Sequence, residues 1–280
     1  MIWGFAGPWY GDLYDHTRTD RLLARLEAMH GFGVEMISTH LGELARMADA
    51  EIDRVAAFAA DHDMHVNIGV GHAPWNADAD AARRVADDAA AKLPAFSEKL
   101  RSRICHTGAG AGHRFDRAAP LEARLEGLAR VLAPVAAACK AAGMKLGIEN
   151  HGDFYCSDWA TLCDATPDLY IFLDTGNTFL IGERPLPAYE VAAPYTIGGH
   201  FKDHRVNPCY DPLRFEIAGS VLGEGDAHLR ECWDILLAKA PDPRSLAMEI
   251  EMIRPEGMDT AECLRKTLAF CHSLPEPSDD

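Results

Sequence analysis

The feature that most constrains this chain is a rhythm. Short apolar, β-branched runs alternate with longer Ala-, Leu-, Arg- and Glu-rich segments along the whole sequence. Strands are expected over residues 2–7, 34–39, 66–71, 103–108, 146–151, 170–175, 196–202 and 245–252. Between them, segments such as 21–30, 51–62, 121–142 and 228–240 repeat apolar residues at three- and four-residue spacing, the period of an amphipathic helix. Thr or Asp stands near the start of two of these segments, and Gly143 closes a third just before the next strand. Eight strands alternating with helices at roughly 30-residue intervals predict a parallel sheet closed into a single-domain (β/α)8 TIM barrel. Residues 1–272 are assigned to the barrel, and residues 273–280 to a frayed tail. An open doubly wound sheet is disfavoured, because AGPWYGD after the first strand is no glycine-rich phosphate fingerprint.

Charge and cysteine content narrow the function. A formal net charge of -16 disfavours a nucleic-acid surface and an anionic membrane. The N-terminus has neither a basic segment nor an apolar stretch of the secretory kind, and no run reaches the roughly 18 apolar residues of a membrane span. Eight scattered cysteines without a CxxC pair read as reduced thiols, and a cytoplasmic location is expected.

A barrel carries its chemistry at the C-terminal ends of its strands. Here those ends are polar: Glu149, Asn150 and His151; Asp174 and Asn177; His200, Lys202, Asp203 and Arg205; Glu249 and Glu251; with His72 and His106 at the ends of the third and fourth strands. Side-chain alternation places Gly147, Glu149 and His151 on one face of their strand, and Gly198, His200 and Lys202 on one face of theirs. The neighbours Leu146, Ile148, Met248 and Ile250 suit packing against helices, which turns the acidic residues inward. Converging carboxylates repel unless a cation lies among them. Three carboxylates and one imidazole make an oxygen-rich site suited to Mn²⁺ or Mg²⁺, with Co²⁺ and Zn²⁺ as alternatives. Glu251 has the parity to replace Glu249. Trp9 and Trp75 are candidates either for stacking on a sugar or for packing. The segment VLGEGD (221–226) follows a long loop, and its Glu224 either enters the site or braces the rim.

The motifs GIENHGD, FLDTGN, GGHFKD, VLGEGD and LAMEIE, in that order, resemble the xylose isomerase-like TIM barrel superfamily, the sugar phosphate isomerase/epimerase group. The resemblance implies one divalent metal, Mn²⁺ foremost, held by Glu149, Asp174, His200 and Glu249. It implies proton transfer by Glu149 and Glu249 on a ketose or keto-sugar through an enediolate, and a small sugar as partner. His72, His106, His151, Lys202 and Arg205 are expected to contact that substrate. The chain departs from the epimerase members after Asp174, where Asn177 replaces a histidine, and in the shift of an arginine to Arg205. A dehydratase or lyase acting on a keto-inositol or 3-keto-glycoside is the alternative; a non-catalytic sugar-binding or partner subunit and an abasic-site endonuclease are remoter ones. Self-association into a homo-oligomer is left open.

Overall fold

The computed structural model describes residues 2–6, 13–110, 112–209 and 216–277. Trp9 lies outside them. Eight parallel strands close the barrel: β1 (Ile2–Phe5), β2 (Met36–His40), β3 (His65–Gly69), β4 (Ile104–Thr107), β5 (Lys145–Glu149), β6 (Leu169–Phe172), β7 (Thr196–Phe201) and β10 (Ala247–Ile250). They neighbour one another in chain order, and β10 pairs with both β7 and β1. The expected rhythm and closure are therefore present. Two strands were not expected: β8 (His204–Asn207) and β9 (Glu216–Gly219) form an antiparallel hairpin in the segment read as a long loop after β7. The strands are too short to show a sequence period.

Helices surround the sheet: α1 (Arg21–Gly31), α2 (Leu41–Leu44), α3 (Asp49–Asp61), α4 (Ala79–Lys99), α5 (Leu121–Ala141), α6 (Cys156–Ala165), α7 (Asn177–Leu180), α8 (Pro185–Ala192), α9 (Leu229–Lys239) and α10 (Thr260–Cys271). None is long and apolar enough to cross a membrane. After α5, Gly143 adopts φ of 76°, the left-handed turn that lets the chain leave the helix and enter β5. At the other end of the chain, Leu274 is buried, and the Trp233 indole N–H of α9 donates to the Pro275 carbonyl.

Strand alternation divides the apolar residues into two cores. Outward residues such as Ile37, Val66, Ile68, Leu146, Ile148, Met248 and Ile250 join the helices in the large cluster. Inward residues Ile2, Met36, Ile104, Phe172, Ile197 and Ala247 plug the lower barrel. The plug leaves the upper interior to polar side chains. Glycine makes the fit possible where strands crowd: a Cβ on Gly199 would stand 1.9 Å from the Leu173 carbonyl oxygen. Nearby, β7 carries an extra residue opposite the Ile171–Phe172 step.

All the barrel strands but β2, which runs to His40, end earlier than the apolar pattern suggests, and β6 has an identifiable reason. Beyond Phe172 the backbone ladder to β7 continues, with the N–H groups of Leu173 and Thr175 donating to the Gly198 and His200 carbonyls at 2.9 and 3.1 Å, but toward β5 a side chain takes over. The Asn150 amide donates to the Asp174 carbonyl at 2.8 Å, and its oxygen accepts the Asp174 N–H at 2.7 Å.

Gly199→Ala should destabilise the protein by about 2 kcal/mol or more, because the contact is with backbone that cannot rotate away. Gly31→Ala, whose Cβ would meet nothing within 4 Å, should stay within about 0.5 kcal/mol of the parent or stabilise it. Denaturant titration of both variants checks the pair.

Candidate metal and sugar site

The site is built by four adjacent strands, β5, β6, β7 and β10, at their C-terminal ends. Glu149 ends β5, Asp174 follows β6, His200 lies near the end of β7, and Glu249 lies near the end of β10. All four side chains are buried; Asp174 and Glu249 have no exposure at all. His200 is the hub. Its Nδ1 lies 3.1 Å from Glu149 Oε1, 3.7 Å from Asp174 Oδ2 and 3.7 Å from Glu251 Oε2. Its Nε2 faces the other way, 3.6 Å from Glu249 Oε2. Glu149, Asp174 and His200 offer ligand atoms that lie within 4.8 Å of one another, a cluster able to hold a metal ion. Glu249 stands across the imidazole ring from that cluster.

Each acid is fixed from behind. Asp174 Oδ1 accepts the backbone N–H groups of Gly176 (2.9 Å) and Asn177 (3.1 Å), and its Oδ2 accepts Asn177 Nδ2 at 2.7 Å. Glu249 Oε1 accepts Ser38 Oγ at 2.5 Å and Asn67 Nδ2 at 2.7 Å, while its Oε2, buried, has no hydrogen-bond partner. Such an orphaned oxygen is costly without a cation or donor.

Electrostatics follow from this crowding. Burial pushes the Glu149 carboxyl up, but His200 beside it outweighs that and holds it below its ordinary value. Burial acts likewise on Asp174, where the Lys202 ammonium and His200 prevail and lower it strongly. Burial disfavours charge on His200, yet Glu149 and Asp174 raise it well above the usual range. Burial lifts the Glu251 carboxyl above its ordinary value, and the charge on Asp174 lifts it further. Four carboxylates thus meet two cationic side chains, His200 and Lys202.

The remaining expected residues are placed as follows. Lys202 is buried and turned onto acids: its Nζ lies 2.7 Å from Asp174 Oδ2, touches the Glu251 carboxylate and donates to Asn177 Oδ1 at 3.2 Å. His106 stacks on Phe172 with centroids 4.9 Å apart, and its buried Nδ1 has no partner. Burial lowers its basicity, favouring a neutral ring. His151 stands exposed at the rim. Both ring nitrogens of His72 lie 2.7 Å from backbone carbonyls, those of Ala73 and Gly108. Arg205 is on the hairpin, donating to the Glu224 carbonyl at 2.9 Å, and lines no cavity at the barrel mouth. Trp75 packs over Gly127 of α5, where a Cβ would meet the Trp75 carbonyl at 2.4 Å. VLGEGD is held by Asp203, whose carboxylate accepts the N–H groups of Gly223, Gly225 and Ala227 at 2.9, 3.0 and 3.1 Å.

A cavity of about 430 Å³ lies over the cluster, lined by Glu149, His200, Glu251, His106 and His151. Its far wall comes from residues that sequence reading missed: Ser38, Thr39 and His40 of β2, with Arg25 and Glu43. Arg25 Nη2 contacts both Glu43 carboxylate oxygens, at 3.0 and 3.2 Å. His40 lies where a Gly69 Cβ would be, 2.5 Å from that position. Ser38 and Asn67 are register partners on inward positions of β2 and β3. The only sequence signal for them was a polar residue at an inward position of each strand, beside other polar residues of MISTH and HVNIG.

A family model described as xylose isomerase-like TIM barrel matches residues 21–270. The fold is similar to D-psicose 3-epimerase with D-tagatose from Clostridium cellulolyticum H10, at TM-score 0.72 and 15% identity, covering 99% of this chain and 100% of that one. It is similar to 3-keto-D-glucoside 4-epimerase from E. coli, at TM-score 0.69 and 14% identity over 98% and 99% of the two chains. A Mycobacterium smegmatis protein of the same barrel type, in complex with magnesium, gives TM-score 0.67 and 16% identity over 96% and 95%. No curated protein sequence matches. With a closed eight-stranded barrel and a family match spanning nearly its whole length, the chain belongs to the xylose isomerase-like TIM barrel family.

Proposed function

We propose that the protein is a divalent-metal-dependent isomerase or epimerase acting on a ketose or keto-sugar through an enediolate. The observation that carries this reading is the buried Glu149–Asp174–His200 cluster at the floor of a sugar-sized cavity. The donor set fits a cation. Its acids outnumber the cationic side chains, and the orphaned Glu249 Oε2 faces the same imidazole. Glu149, Asp174 and His200 would hold the ion, with Glu249 joining as fourth ligand only after it and the imidazole ring rearrange, because it faces Nε2 rather than Nδ1. Mn²⁺ is preferred over Mg²⁺, Co²⁺ and Zn²⁺ for so oxygen-rich a set. Relatives in fold that act on ketoses, and one that carries magnesium, support the same reading.

When bound, the ion supplies Lewis acidity to a carbonyl oxygen and an adjacent hydroxyl. Everything else is done by the chain. Glu149 lines the cavity, and its carboxylate would take the proton next to the carbonyl. Glu249, the second proton-transfer group of this reading, is held by Ser38 and Asn67 behind His200 and reaches the cavity only once it leaves them. Lys202 and Asn177 keep Asp174 ionised and oriented. His106, neutral and unpartnered at Nδ1, and His151 at the rim bind substrate hydroxyls.

Calorimetric titration of metal-stripped protein should give one divalent ion per chain. Glu149→Gln and Asp174→Asn should each weaken it beyond the roughly 10–100-fold that removal of an outer contact costs. Unchanged affinity in both variants would remove the cluster as a metal site.

The metal-loaded enzyme, incubated with ketoses in deuterated water, should place deuterium at the carbon next to the carbonyl. Glu149→Gln should slow that exchange by on the order of 100-fold or more. Turnover with no deuterium in product or recovered substrate would replace the enediolate by a hydride shift.

A further inference from the structure

A second cavity, of about 510 Å³, opens beside the first and shares Thr107, Gly108, Glu149 and His151 with it. Each is by itself within the roughly 300–1,000 Å³ of a small-ligand site. Glu149 stands at their junction. A ligand whose reacting carbon meets Glu149 from the first cavity therefore has room for a substituent in the second.

The second cavity's walls say what that substituent is. Among the described residues no lysine or arginine lines it, whereas two carboxylates do, Glu149 and Asp153. A phosphate or carboxylate there would face like charge without compensation. Pro74 and Ala109 supply an apolar surface, and His72 is engaged with the Ala73 and Gly108 carbonyls, bracing the wall. Asp153 is different. Its Oδ1 accepts the N–H groups of Phe154 at 2.8 Å and His151 at 3.2 Å, which aims the carboxyl, while Oδ2 has no hydrogen-bond partner among the described residues. Burial pushes this carboxyl up to about 6. Above that pH it is chiefly a carboxylate, whose oxygen accepts from sugar hydroxyls, and only below it does the carboxyl also offer an O–H.

We propose that the second cavity is a subsite for a neutral sugar ring attached to the reacting ketose, so that the substrate class is a glycosylated ketose rather than a free monosaccharide. The subsite rests on the reading of Glu149 as the group at the reacting carbon. Asp153 and His151 bind hydroxyls of the appended ring, and Pro74 and Ala109 carry its apolar face.

The test uses metal-loaded full-length protein and commercial ketoses: lactulose, turanose and isomaltulose against fructose and tagatose. Binding is measured by calorimetry and proton exchange in deuterated water. The best two-ring ketose should exceed both one-ring sugars in affinity by about tenfold or more. Gly71 lines only the second cavity, and a Cβ there meets nothing within 4 Å. Gly71→Phe should therefore fill the subsite, abolishing the two-ring preference while the melting temperature and metal affinity stay at the parent values. Asp153→Asn keeps an acceptor for the two N–H groups and should lower two-ring affinity by roughly three- to tenfold. Equal affinity for one- and two-ring ketoses, or no binding of any two-ring sugar, overturns the subsite. So does an equal loss for both classes in Gly71→Phe. Two-ring preference without deuterium incorporation leaves the subsite standing and removes the proton-transfer reading; equal exchange in both classes does the reverse.

Discussion

Four carboxylates converge on one imidazole inside this barrel, and the rest of the upper interior is arranged around keeping them there. Glu149, Asp174, Glu249 and Glu251 all lie within 3.7 Å of His200 ring nitrogens. Unscreened like charges at such distances would drive one another toward protonation. His200 and Lys202 prevent this for three of the four: Glu149, Asp174 and Glu249 all titrate below their ordinary values despite burial. Glu251 goes the other way, and it is the least buried of the set, with 16% of its side chain exposed. The cluster stores negative charge at a fixed place, which is what a divalent cation requires of its host.

The barrel supplies the convergence, since β5, β6, β7 and β10 are consecutive neighbours whose inward residues point to one axis. Apolar side chains cannot fill the upper interior without displacing the acids, so the plug of Ile2, Met36, Ile104, Phe172, Ile197 and Ala247 stops beneath them. Between plug and acids lie Ser38, Asn67 and His106; the first two supply hydrogen bonds, and His106 stacks on Phe172 of the plug. Removing any of these would disturb both layers.

This division explains what could be read from the sequence. Polar residues that interrupt apolar runs at strand ends stand out, so the cluster at Glu149, Asp174 and His200 was visible, as was the closed barrel. Ser38 and Asn67 were not, because they stand beside Thr39, His40 and His65 in MISTH and HVNIG, and polar residues scattered in short strands are ordinary. The end of β6 was read too long because toward β5 the Asn150 side chain replaces the backbone partner, a bond that carries no periodic signature. The β8–β9 hairpin escaped because four-residue strands show too little alternation to separate from loop. The roles of Arg25 and Glu43 depend on α1 meeting α2 across the barrel mouth, a contact between segments 18 residues apart.

The two glutamates expected to move protons are not equivalent in this architecture. Glu149 faces both cavities, whereas Glu249 is sealed, with one oxygen tied to Ser38 and Asn67 and the other behind His200. A single acid on one face of an enediolate can return the proton to the neighbouring carbon and shift the carbonyl. Inverting a centre needs a second acid on the opposite face. The acids that line the first cavity beside His200 are Glu149 and Glu251, and Glu251 is held by Lys202. For the proposed enediolate reaction, the balance between isomerisation and epimerisation would turn on which carboxylate completes the pair. Glu249 would have to leave Ser38 and pass the imidazole, whereas Glu251 already lines the first cavity and would have to be released by Lys202. In that reading Lys202, besides facing Asp174, restrains the second acid.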